Sequence, residues 1–147
     1  MTSKTALTVP AAANRSPLAA KAIAFAKAHT TWASGMCEQF VREALGQDAK
    51  YLTAAAEWTA ALAPVDHTHT WYRHPVGVPV HFHTHSSAGH VALGDVYPYV
   101  WSTDMAADGT YAPGHVSRVT IAQVERAMGA SYEGWLDTCE GVSVYHS

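Results

Sequence analysis

The feature that most constrains this chain is a change of hydrophobic period near Pro64. Before it, apolar side chains recur at helical spacing. Residues 18–28 place Leu18, Ala22, Ile23, Phe25 and Ala26 on one face, behind a Ser16-Pro17 pair that suits a cap and a first helical position. Asp48 is suited to capping another short helix. Residues 52–62, carrying Trp58, are alanine-rich and helical, and Pro64 ends them. Beyond a loop at residues 66–75 the pattern becomes that of strands. These are expected at 76–82, with Pro79 at an edge or a strand start, and at 89–94, 99–103, 116–119 and 141–145. Turn chemistry fills residues 95–98. One late helix interrupts them at 120–128, where Thr120 and Gln123 form a capping-box pattern and Gly129 is the stop. Helices first and antiparallel strands second predict an α+β domain, with N-terminal helices packed on a small antiparallel sheet. The expected organisation is a flexible arm over residues 1–15 and one domain over 16–147, with no internal repeat.

Charge narrows the function classes. A net charge of −3 without a Lys/Arg cluster argues against nucleic-acid binding. No apolar run is long enough to insert in a membrane. The first 17 residues lack the hydrophobic core of a signal peptide, since Thr8 and Pro10 break the alanine run. Two cysteines, Cys37 and Cys139, do not make a disulfide scaffold, and no bridge between them is expected.

Chemistry is concentrated first in residues 34–46, Ser-Gly-Met-Cys-Glu-Gln-Phe-Val-Arg-Glu-Ala-Leu-Gly. Ser34 is a candidate cap, Gly35 permits a tight bend, and Gly46 is a candidate stop. Phe40, Val41, Ala44 and Leu45 share the inward face of a short helix. Cys37 then falls in its first turn, where unpaired N–H groups and the positive end of the helix dipole favour a thiolate nucleophile. The plainer alternative is a buried cysteine acting as a small apolar side chain.

A candidate base lies on the hairpin of residues 89–94 and 99–104. A turn centred on Tyr97 sets His90 opposite Asp104; a turn one residue earlier sets it opposite Ser102. Either arrangement supplies what a thiol nucleophile needs, a base and a group that orients the base. The alternative is an ordinary hairpin with a polar pair near its open end.

Together, Ser-Gly-Met-Cys37-Glu-Gln-Phe-Val-Arg, Val-Gly-Val-Pro-Val, Gly-His90-Val-Ala-Leu-Gly and Val-Trp-Ser-Thr-Asp104 resemble the CHAP cysteine amidohydrolase/peptidases of the NlpC/P60-like, papain-related superfamily. The resemblance is greatest to the CHAP endolysins of phages that infect actinobacteria, and it runs from about Ala19 to Val144. It implies an NlpC/P60 (papain-like) CHAP architecture with catalytic Cys37 and His90. It implies a polar orienting residue at Asp104, with Ser102 as the alternative where some members carry glutamate. The implied activity is cleavage of a peptidoglycan amide bond, as an N-acetylmuramoyl-L-alanine amidase or endopeptidase, without a cofactor. Trp58, Trp71 and Trp101, with His83, are the candidate substrate-binding side chains. Such an enzyme is made in the host cytoplasm without a signal peptide, acts on the cell wall, and reaches it through a holin-type release partner.

His81, His83 and His85 would share one face of an extended segment and offer three imidazoles to zinc. The preferred reading is a polar strand end without a metal, because no acid or further ligand frames the run. Two rival functions remain: a zinc-dependent wall hydrolase built on that run, and a non-catalytic wall- or virion-binding module with the same fold.

Overall fold

The computed structural model describes residues 13–70 and 73–147. Three helices come first: α1 (Pro17–Ala28), α2 (Cys37–Ala44) and α3 (Ala54–Ala61). The Ser16 hydroxyl caps α1 by accepting from the Leu18 N–H at 3.2 Å, with Pro17 at the first helical position. The helix of residues 52–62 is capped by Thr53 rather than introduced by Asp48, which lies outside any element.

The strands are β1 (Thr68–His69), β2 (Pro79–His83), β3 (His90–Gly94), β4 (Tyr99–Met105), β5 (Tyr111–Thr120), β6 (Ser131–Leu136), β7 (Thr138–Cys139) and β8 (Val142–Ser143). Helix α4 (Ile121–Met128) separates β5 from β6 and carries the full Thr120/Gln123 capping box, with Gly129 closing it in the left-handed region. Six strands form one antiparallel sheet in the order β1-β6-β2-β3-β4-β5, and β7 and β8 form a separate hairpin. The chain is therefore α+β, as the change of period predicts. Three strands escaped that pattern: β1, the internal β6 and the short β7. Pro79 begins β2, which lies inside the sheet between β6 and β3 and is not an edge.

Alternation along β3 divides the core between the two faces of the sheet. Val91 and Leu93 pack with Ala22, Phe40, Val41 and Leu45 of the N-terminal helices. Ala92 packs with Val80, Phe82, Val100 and Val124, on the α4 side. Phe40, Val41 and Leu45 are almost fully buried, and each stabilises the α2–sheet contact by about 1.5–3 kcal/mol. That contact fixes where α2 begins.

Asn14 and Arg15 do not belong to a loose arm. The Asn14 amide donates to the Val76 and Val144 carbonyls, and the Arg15 N–H donates to the His146 carbonyl at 2.8 Å. The rest of the expected arm, residues 1–12, lies outside the described residues. Among the described residues no helix is long and apolar enough to cross a membrane.

Candidate active site

Cys37 is the first residue of α2. The loop leading to it is held against β5: the Trp32 N–H donates to the Gly114 carbonyl, and the Val116 N–H donates to the Thr30 carbonyl. Gly35 then turns the chain at φ 79°, a region glycine enters without strain. The cap residue is Met36, not Ser34, and no side chain caps the helix. The first-turn N–H groups are left for another acceptor.

Cys37 and His90 line one cleft of about 620 Å³. It crosses the end of the sheet, bordered by α2 and the loop before α3 on one side and by Ala127 and Met128 of α4 on the other. The backbone N–H of Val91, the residue after His90, points at the Cys37 sulfur. Both cysteines are free thiols.

The hydrogen bonds around His90 fix its tautomer. The Ser102 hydroxyl donates its single hydrogen to the Thr103 carbonyl at 2.9 Å. Ser102 Oγ lies 2.9 Å from His90 Nε2, so at that contact it must accept. The imidazole hydrogen is therefore on Nε2, and Nδ1 is the bare nitrogen able to take a proton.

Asp104 plays a different part from the one expected for it. The ladder between β3 and β4 pairs Leu93 with Trp101 and Gly94 with Val100, which is the register of a turn centred on Tyr97. The pairing of β4 with β5 shifts between Thr103 and Met105, and Asp104 itself has φ 60°. Its carboxylate is turned to two backbone donors, the N–H of Gly35 at 3.0 Å and the N–H of Gly114 at 2.9 Å. Ser102, not Asp104, is the side chain hydrogen-bonded to the His90 ring. Asp104 remains close enough for its charge to act on both Cys37 and His90.

Burial governs the protonation of the pair. It pushes the Cys37 thiol up to about 11, helped by the negative charges of Glu38 and Asp104; the N–H groups of Val91 and Glu38 pull the other way and do not prevail. The thiolate expected from the helix dipole alone is thus not the resting state. Burial also pushes His90 down to about 4, while the Asp104 charge draws it upward and His81 downward. At rest, then, the cleft holds a neutral thiol and a neutral imidazole.

The remaining candidates separate. Trp101 does not line the cleft; paired with Leu93, it packs on the helical core and donates its indole N–H to Asp95 at 2.9 Å. Trp58 lies against His81 with the rings tilted and their centroids 5.4 Å apart, and is not part of the cleft wall. Trp71 lies outside the described residues. His83 is exposed at the end of β2 and does not line the cleft either. The aromatic residues that do line it are Tyr51 and Tyr111, together with His85. Sequence spacing gave no signal for the two tyrosines.

The histidine run does not converge on a metal. His81 is buried and donates from Nε2 to Glu57 Oε1 at 3.0 Å, His83 faces solvent, and His85 sits against Gly129 across the cleft. Among the described residues the one group able to surround an ion is Glu38, Glu57 and Glu140. In that group, burial and the two neighbouring carboxylates push the Glu38 carboxyl far above its usual range.

No family model, curated protein or solved structure matches the chain.

Proposed function

We propose that the protein is a cysteine hydrolase of peptidoglycan, an amidase or endopeptidase of CHAP type, acting as a phage endolysin. The observation that carries this reading is the pairing in one cleft of a cysteine at an uncapped helix start with a histidine whose Nε2–H is occupied by Ser102. The sequence resemblance to CHAP endolysins supplies the substrate class.

The neutral resting pair favours general-base attack over a preformed ion pair. As Cys37 Sγ bonds to the amide carbonyl carbon, His90 Nδ1 takes the thiol proton, and the Nε2–H stays on Ser102 Oγ. The imidazolium formed is stabilised by the nearby Asp104 carboxylate. The tetrahedral oxyanion is met by the free N–H groups at the start of α2. His90 gives its proton to the leaving amine, the C–N bond breaks, and a water deprotonated by His90 then hydrolyses the thioester. Asp104 holds Gly35 and Gly114, and through them the loop that presents Cys37.

The test is release of new amino groups from purified actinobacterial peptidoglycan by wild type and Cys37→Ala. Release by the wild type alone is expected, and mass spectrometry of the fragments then identifies the bond. Equal release by both proteins refutes the nucleophile. Release by neither, across several wall types, favours a binding module.

A further inference from the structure

Behind the nucleophile, three segments distant in sequence bring carboxylates together. Glu38 follows Cys37 in α2, Glu57 lies in α3, and Glu140 lies just beyond β7. One oxygen from each lies within 4.8 Å of the others, and all three residues are more than nine-tenths buried. Three carboxyl groups so close together out of water cannot all stay ionised unless a positive group sits among them, so either a shared proton or a cation must do so.

Two of these carboxylates are held by donors. Glu57 accepts from His81 Nε2 at 3.0 Å and from the Glu140 N–H at 2.8 Å. Glu140 accepts on Oε2 from the N–H groups of Tyr51, at 2.8 Å, and Lys50, at 3.3 Å. An oxygen is left over on each side: Glu38 Oε1 and Glu140 Oε1 are buried and receive no hydrogen bond from an N–H or hydroxyl group, so only a proton held between the carboxyl groups or a bound cation can satisfy them. An orphaned buried acceptor costs about 1–3 kcal/mol, more when it is charged. Two such atoms in a single cluster call for a ligand.

We propose that Glu38, Glu57 and Glu140 bind one oxygen-preferring divalent cation of the Ca2+, Mg2+ or Mn2+ class. The donor set is all oxygen, which suits hard cations and not zinc. Ca2+ bonds to oxygen at about 2.3–2.6 Å, so ligand atoms on opposite sides of it stand about 5 Å apart. The oxygens, all within 4.8 Å of one another, stand no farther apart than such a sphere allows. His81 is the outer-shell partner that orients one ligand, the role histidine–carboxylate pairs serve at metal sites. Entry is available from two sides: Glu38 lines the catalytic cleft, and Glu57 lines a second cavity of about 240 Å³. The cation would tie α2, α3 and the C-terminal segment together directly behind Cys37.

The experiment uses the full chain, stripped with chelator and dialysed, and does not depend on wall cleavage. Unfolding temperature is measured against Ca2+, Mg2+ and Mn2+ in turn, and Tb3+ luminescence sensitised by the aromatic residues is titrated. At least one of the three cations should raise Tm by about 5–10 °C at a hundredfold excess over its Kd. Tb3+ should bind at one per chain and be displaced by the same cation. Glu38→Gln and Glu140→Gln should lose both responses, while Glu133→Gln, on β6, keeps them. The proposal is overturned if wild type shows neither response, or if Glu38→Gln and Glu140→Gln respond as wild type does. If the variants do not fold, the wild-type Tm shift and Tb3+ stoichiometry decide the matter alone.

Discussion

His90 gives the sharpest quantitative test of the site, because its burial converts directly into a pH-dependent stability. The ring is 5% exposed and its pKa is pushed from 6.5 down to about 4. A depressed folded-state pKa means that the unfolded chain binds the proton more tightly. The stabilisation is complete above pH 6.5 and is lost as pH falls toward 4. At about 1.36 kcal/mol per pH unit, the 2.5-unit shift is worth about 3 kcal/mol in total, with about 1.4 kcal/mol gone by pH 5.5 and about 2.5 kcal/mol by pH 4.5. Urea unfolding of wild type and His90→Gln at pH 7.5, 5.5 and 4.5 isolates this contribution. Glutamine cannot ionise, its amide can still donate toward Ser102, and every other titrating group is common to both proteins. Wild type should lose stability faster than His90→Gln by those amounts. Parallel loss, within about 0.5 kcal/mol, or an NMR titration midpoint for His90 near 6.5, would refute the account of a desolvated neutral base.

Two substitutions separate the groups around that ring. Ser102→Ala removes the acceptor for the His90 Nε2–H at a fully buried position, so urea unfolding should show a loss of about 1–3 kcal/mol. The same variant should lower kcat more than it changes KM, because the tautomer that leaves Nδ1 bare is no longer pinned; an unchanged kcat would remove Ser102 from that role. Asp104→Asn replaces one of two backbone acceptors with an NH2 group and should cost about 1.5–3 kcal/mol, read by the same unfolding assay. It should also move the His90 titration further below 4, since the Asp104 charge is what draws it upward.

Local rules were legible wherever a short stretch sets its own geometry. The Gly35 bend and the Thr120/Gln123 capping box follow from neighbouring residues, whereas the β3–β4 hairpin was legible only as two registers, of which the structure has the one centred on Tyr97. Strand β6 did not, because Ser-Tyr-Glu-Gly-Trp-Leu contains a glycine and reads poorly as alternation. Its Gly134 is required by the fold: a Cβ there would lie 2.5 Å from the His69 carbonyl oxygen of β1. The choice between Ser102 and Asp104 turned on a register shift at Thr103/Met105, which no spacing rule reveals. The thiolate that the helix dipole favours at Cys37 is not formed, for a related reason. A helix dipole is local and readable, whereas burial under the sheet is a tertiary property and outweighs it. The Glu38, Glu57 and Glu140 cluster is more remote still, since its members meet only once α2, α3 and the segment after β7 are in place.

The uncapped start of α2 is written into its backbone as well as its sequence, and this can be tested. The caps of α1, α3 and α4 are Ser16, Thr53 and Thr120, with ψ of 133°, 157° and 158°, and each hydroxyl accepts a helix N–H. Met36 has ψ 42° and makes no such bond. A serine ordinarily adds about 1 kcal/mol at a cap position, but it does so from the extended conformation. The Asp104 bond to the Gly35 N–H holds the preceding residue, which keeps position 36 from swinging out to that conformation. Met36 is 43% exposed, so its replacement disturbs little packing. Met36→Ser should therefore leave the unfolding free energy within about 0.5 kcal/mol of wild type. A gain of about 1 kcal/mol would mean that the loop rearranges readily and that the Asp104 tether does not keep the first-turn N–H groups free for an oxyanion.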